Sequence, residues 1–151
     1  MIAWHWALAA HILCIVLWVG GMFFALTVLR PSLAALEPAQ RVAVHNGVFR
    51  RFFLVVWHVM VIAVISGYAM IWAAYGGDFA HLPWNVNAMQ AIAWVMVVVF
   101  LVLVFGPYRR FRAAASTARA AEALERIRRL ILINLILGLI TVVIAAIGPA
   151  G

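Results

Sequence analysis

Charge is scarce in this chain. Only 10% of its 151 residues are charged, and lysine is absent. The acids are Glu37, Asp78, Glu122 and Glu125. A soluble domain carries about 25% charged residues, so this chain cannot wrap a core in a polar shell. Disorder is excluded too, because it needs low hydrophobicity and high charge. There is one cysteine, Cys14. No intrachain disulfide can form, and cysteine usage says nothing about redox compartment. No hydrolytic triad, phosphate loop, carboxylate pair or CxxC motif occurs. All four acids lie outside the apolar runs, which argues against carboxylate-based proton coupling.

What is abundant is apolar sequence: 69% of residues, with a mean hydropathy of +1.14. Four runs are long enough to cross a bilayer at about 20 residues each. They are Ile2–Leu29, Phe52–Tyr75, Ala88–Phe105 and Leu130–Ile147. Gly or Pro marks most of their ends: Arg30-Pro31, Gly76-Gly77, Gly106-Pro107 and Gly148-Pro149. The sequence therefore predicts an all-α membrane protein. It is read as one bundle of four transmembrane helices, with spans at about 10–29, 52–75, 88–107 and 130–147. Met1 to Trp6 has no basic residue and no small-residue cleavage site. The first run reads as a retained span, not a signal peptide.

The eleven basic residues are all arginines. Arg30, Arg41, Arg50 and Arg51 separate runs one and two. Arg109, Arg110, Arg112, Arg119, Arg126, Arg128 and Arg129 separate runs three and four. The 76–87 loop has none. By the positive-inside rule both arginine loops are cytoplasmic and both termini are periplasmic, in a bacterial inner membrane. Trp4, Trp6, Tyr75 and Trp84 then form an outer aromatic belt. The net charge of +7 and pI of 11.4 point to lipid headgroups as partners, not nucleic acid. Glu122 and Glu125 each precede an arginine by four, so the second arginine loop is expected to be partly helical.

Polar groups within spans are the candidates for chemistry, because hydrocarbon penalises them. They are His11, Cys14, Thr27, His58, Ser66, Gln90, Asn134 and Thr141. His11 falls near the outer boundary of span one, level with Asn87 and Met89 on span three. His5, His81 and Asn85 lie in neighbouring outer segments. Trp4, His11 and Trp18 recur at seven, with Cys14 three after His11, so they share a helix side. His11 and Cys14 offer a nitrogen and a soft sulfur to copper. Met22 continues that face further in. His58 and Asn134 sit at similar depth nearer the arginines and are expected to hydrogen-bond. They lie too far from His11 for two histidines to clamp one haem. His45 is expected to be solvated. Asn134, Gly138, Thr141 and Ala145 read as a packing stripe, and so do Met89, Ala93, Met96 and Phe100.

The run His11-Ile12-Leu13-Cys14-Ile15-Val16-Leu17-Trp18-Val19-Gly20-Gly21-Met22-Phe23-Phe24 resembles the opening helix of the CopD (copper resistance protein D) family. The likeness continues through Arg51-Phe52-Phe53, Ser66-Gly67-Tyr68, Met89-Gln90, Trp94-Val95-Met96, Pro107-Tyr108-Arg109-Arg110, Ile127-Arg128-Arg129-Leu130 and Asn134-Leu135. The first helix is also similar to that of HemJ-type protoporphyrinogen oxidases, where the histidine matching His11 holds haem. Those oxidases carry a His-x-Lys after a span-three tryptophan, and here Ala88 replaces the lysine. Small CopD-like proteins carry His-x-His-x-Met where this chain has Asn85-Val86-Asn87-Ala88-Met89. Asparagine is a poor ligand for Cu(I) or haem iron.

The resemblance implies copper bound or passed at the outer face, with His11, Cys14, His81 and Met89 as the metal set. The alternative it implies is a haem b redox protein, with His11, Trp18, His58 and Asn134 around the cofactor. A third reading is a non-catalytic membrane subunit. Expected partners are membrane lipid, a second copy or other membrane subunits, and a periplasmic copper or electron-transfer protein.

Overall fold

A computed structural model describes residues 2–148, with side chains from Trp4 onward. The described chain is helical, without strands. Four helices are long and apolar enough to cross a membrane. We label the long helices α1 (Ile2–Phe24), α2 (Pro38–Tyr75), α3 (Trp84–Leu103) and α4 (Thr117–Ile147). Pro149, read above as part of the stop after span four, lies outside the described residues.

Spans one and three end in the same way. Each passes into one turn of π-helix, Ala25–Leu29 after α1 and Val104–Tyr108 after α3. A short α-helical turn follows, Arg30–Ser32 or Arg109–Arg112. Proline is the local cause. It brings no N–H and its ring crowds the carbonyl four residues back. A widened turn near Pro31, and around Pro107, absorbs that crowding without breaking the helix.

The arginine loops are shorter than the sequence suggests. α2 begins at Pro38, well before the expected span edge at Phe52. Glu37 and Gln40 form a reciprocal capping box there, with Pro38 in the first helical position. At 1.5 Å per residue, the 38 residues of α2 reach about 57 Å. A bilayer core is about 30 Å, so much of this helix projects from it. α4 likewise starts at Thr117, where Ser116 Oγ accepts from the Arg119 amide. Glu122 pairs with Arg126 at 2.8 Å as expected. Glu125 instead favours Arg128 at 2.8 Å over Arg129 at 4.0 Å.

Opposite the arginine end, Gly76 closes α2 with φ +61° and its amide on Trp72 O. That left-handed turn suits glycine. α1 packs along α2, α3 along α4, and α1 also touches α4. The core is richest in aromatics toward the arginine end. Phe49 stacks on Phe53 at 5.2 Å, and Phe53 meets Tyr108 edge-on at 4.9 Å. The outer faces carry Leu13, Val16, Leu54, Ile65, Val98, Phe105 and Val143, all more than half exposed. In water that surface would be untenable; against lipid tails it costs little.

Candidate functional site

His11 is held against α2. Its Nδ1 lies 2.9 Å from Ala63 O and 3.2 Å from Ser66 Oγ. A carbonyl oxygen can only accept, so Nδ1 carries the ring proton. Ser66 Oγ already sends its own proton to Ile62 O at 2.7 Å, which leaves it free to accept as well. Nε2 of His11 is therefore the lone-pair nitrogen. Metal-binding histidines are commonly oriented in this way, by a carbonyl on the other ring nitrogen. The ring lies over Gly67, where an added methyl would just touch Cε1 at 3.4 Å.

Along α1 the same face runs inward. His11 is half-buried, while Cys14, Trp18 and Met22 are buried. Trp18 meets Phe100 edge-on at 6.3 Å. The expected shared face is therefore present, and it points into the bundle. The expected metal set does not converge. Among the described residues, no three His, Cys, Asp or Glu side chains are grouped to hold a metal ion. His81, exposed in the segment 76–83, is taken by Asp78 at 2.9 Å. That contact, with the Ala80 amide, holds the Asp78 carboxyl below the usual carboxylate range. Met89 is half-buried on α3.

The two asparagines before Met89 have structural contacts. Asn87 Nδ2 donates to Leu82 O at 3.1 Å. Asn85 is buried, with its amide against Gly148, where a methyl group would collide with it. Its Oδ1 has no partner among the described residues.

His58 and Asn134 do not meet. His58 is exposed on α2, and its Nδ1 returns to Leu54 O at 2.8 Å, four residues back. Asn134 turns inward and donates from Nδ2 to Met96 O at 3.1 Å. His58 faces outward and Asn134 inward, so rotation about the helix axis separates the pair. His45 is also corrected. It is buried, bonded to Arg41 O at 2.7 Å and set 5.4 Å from the Phe49 ring. It escaped detection because the helix was expected to begin after it. Gly138 does serve close packing, since a methyl there would press on Val19 Cγ2 at 2.7 Å and Met96 Cε at 3.3 Å.

A family model, copper resistance protein D, matches residues 46–147, more than half of the chain. The chain belongs to the CopD family. Curated proteins and solved structures gave no match. The matched segment covers spans two to four and both anchors of the imidazole, Ala63 and Ser66. His11 itself lies before it, so its role rests on geometry. CopD membership makes the chain a copper-resistance-related membrane protein.

Proposed function

We propose that this CopD-family chain binds or passes copper as cargo at the end of the bundle opposite the arginines. His11 Nε2 is the ligand that carries the reading. Its partner nitrogen is held on Ala63 O, which leaves the lone pair on Nε2, and imidazole suits copper. Cys14, one turn further along the same inward face, supplies a soft sulfur behind it. By the positive-inside rule this end is periplasmic and the arginine end cytoplasmic, in a bacterial inner membrane. A periplasmic copper carrier is the matching partner.

Haem b is the competing occupant of His11. The cavity beside Trp18, lined also by Asn134, has a volume of about 10 Å³ and does not include His11, so those three residues do not share one pocket. Asn134 and His58 do not flank it together either.

Metal analysis and an absorption spectrum of the purified protein separate the readings. The copper reading expects Cu(I) uptake in detergent and no Soret band that responds to dithionite. A Soret band lost in His11→Ala, with one haem per chain, would replace copper by haem.

A further inference from the structure

At the arginine end, the start of α2 and the turn before α4 leave a groove of about 380 Å³ between them. Small-molecule sites run from about 300 to 1,000 Å³, so the groove is large enough for a ligand. One wall is a single face of α2, where Ala39, Val42, Ala43 and Asn46 recur at helical spacing. Phe111 and Ala120, both buried, add apolar surface. Arg112, Ser116 and Thr117 bring polar groups from the turn that leads into α4. Alanine keeps the space open, because a larger side chain on the α2 face would occupy it.

The polar lining favours one sign of charge. Asn46, Arg112, Ser116 and Thr117 can all donate hydrogen bonds. Among the described residues, no acceptor takes their side-chain protons: Ser116 Oγ accepts from the Arg119 amide at 3.4 Å, and its own proton stays free. The Arg112 guanidinium lies over the Tyr108 ring at 6.0 Å and has no acidic partner among the described residues. The three acids at this end are engaged elsewhere. Glu37 is in the capping box of α2, Glu122 pairs with Arg126, and Glu125 pairs with Arg128. Eleven arginines against three acids make the surrounding field positive. A cation is repelled there, and a neutral molecule leaves the guanidinium unmatched. A phosphate fits best, since a guanidinium offers it two parallel N–H donors, and the hydroxyls and the amide add more.

Depth separates a soluble phosphate from a lipid one. Leu54 is the first α2 side chain after Arg51 that is more than half exposed, at 61%, and so marks the hydrocarbon edge. Asn46 and Ala39 precede it by eight and fifteen residues, about 12 and 22 Å along the helix. The headgroup layer is only about 5–8 Å thick on each face, so the groove opens beyond it, into water. The geometry points to a binding site for a soluble organic phosphate in this groove. Arg112, Ser116, Thr117 and Asn46 take the phosphate, and Val42, Phe111 and the alanines take an apolar body. The site does not depend on His11 or on the copper reading.

The test uses the full chain in nanodiscs of zwitterionic phosphatidylcholine, with para-fluorophenyl phosphate as the probe and fluorine NMR as the readout. The wild type is expected to bind the probe saturably at one site. Arg112→Gln, which removes the charge and the fork, should weaken binding about tenfold or more. Ala43→Phe, which fills the groove, should do the same, with helicity unchanged by circular dichroism. Arg50→Gln removes an equal charge outside the groove and should change binding less than about twofold. Absence of saturable binding overturns the inference. Equal losses in Arg50→Gln and Arg112→Gln also overturn it, because they would mean a diffuse arginine field and no site. A second arm adds phosphatidylglycerol to the nanodiscs and follows retained lipid by native mass spectrometry. If phosphatidylglycerol stays on the wild type, leaves Arg112→Gln, and the soluble probe does not bind, the occupant is a lipid headgroup and the soluble reading falls. Should Ala43→Phe fail to fold, Arg112→Gln against Arg50→Gln decides.

Discussion

Asn134→Leu puts the clearest number on the bundle interior. The wild-type side chain makes one bond, Nδ2 to Met96 O at 3.1 Å, and leaves Oδ1 buried without a partner. A side-chain hydrogen bond between membrane helices is worth about 0.6 kcal/mol on average, and up to about 1.7. A buried acceptor left unmade costs about 1–3 kcal/mol. Leucine has a similar volume, fits an apolar surround of Met22, Phe53 and Ile131, and removes both terms together. Met96 O loses only a side-chain donor, since it lies inside α3, where the helix supplies a backbone donor. The net expectation is a variant equal in stability to the wild type or about 1–2 kcal/mol more stable. Reversible unfolding in mixed detergent–SDS micelles, followed by circular dichroism, measures it. Destabilisation of more than about 1 kcal/mol would refute the reasoning, because it would mean the amide is a net structural asset.

Other perturbations test other parts of the structure. Gly138→Ala drives a methyl into Val19 at the α1–α4 contact and should cost about 1–3 kcal/mol in the same unfolding assay; an unchanged midpoint would deny the close approach. His58→Leu replaces a lipid-facing imidazole bonded only to its own helix, so Cu(I) affinity should not change; a tenfold loss would place copper on the outer face of α2 instead. Ser66→Ala removes the weaker of two contacts to His11 Nδ1, and Cu(I) affinity should fall by less than in His11→Ala; equal losses would make the hydroxyl the true anchor. The Asp78–His81 contact predicts a pH effect. The Asp78 carboxyl is held below its ordinary value, so its stabilising contribution is full above about pH 4 and is lost as pH falls through the lower folded value. His81→Ala should reduce that acid sensitivity in the unfolding midpoint; an identical pH profile would show that the contact contributes nothing.

The four spans were legible because hydrocarbon imposes length and composition on any crossing helix. Their rotations were only partly legible. Span one announced its inward face, since His11, Cys14, Trp18 and Met22 recur at helical spacing among aliphatic residues. Span two did not. Both of its faces are rich in Val, Ile and Phe, so nothing in the pattern showed that His58 looks outward while Ser66 looks inward. The helical extension from Pro38 was hidden by arginines that resemble a solvated loop, although Glu37-Pro38-Ala39-Gln40 carries its capping signal. The anchor of His11 could not be read at all. It is chiefly a backbone carbonyl on another helix, Ala63 O, and backbone acceptors leave no trace in side-chain identity. The surround of Asn134 escaped for a related reason: its members come from all four spans, and only packing brings Met22 and Asn134 to the same cavity.

The central claim is that His11 Nε2 holds copper, and Cu(I) affinity by chelator competition tests it most directly. Wild type, His11→Ala and His58→Ala should be measured side by side, with helicity as the control for folding. His11→Ala should lose about tenfold or more in affinity, and His58→Ala should lose none. Equal affinity in all three chains would contradict the claim.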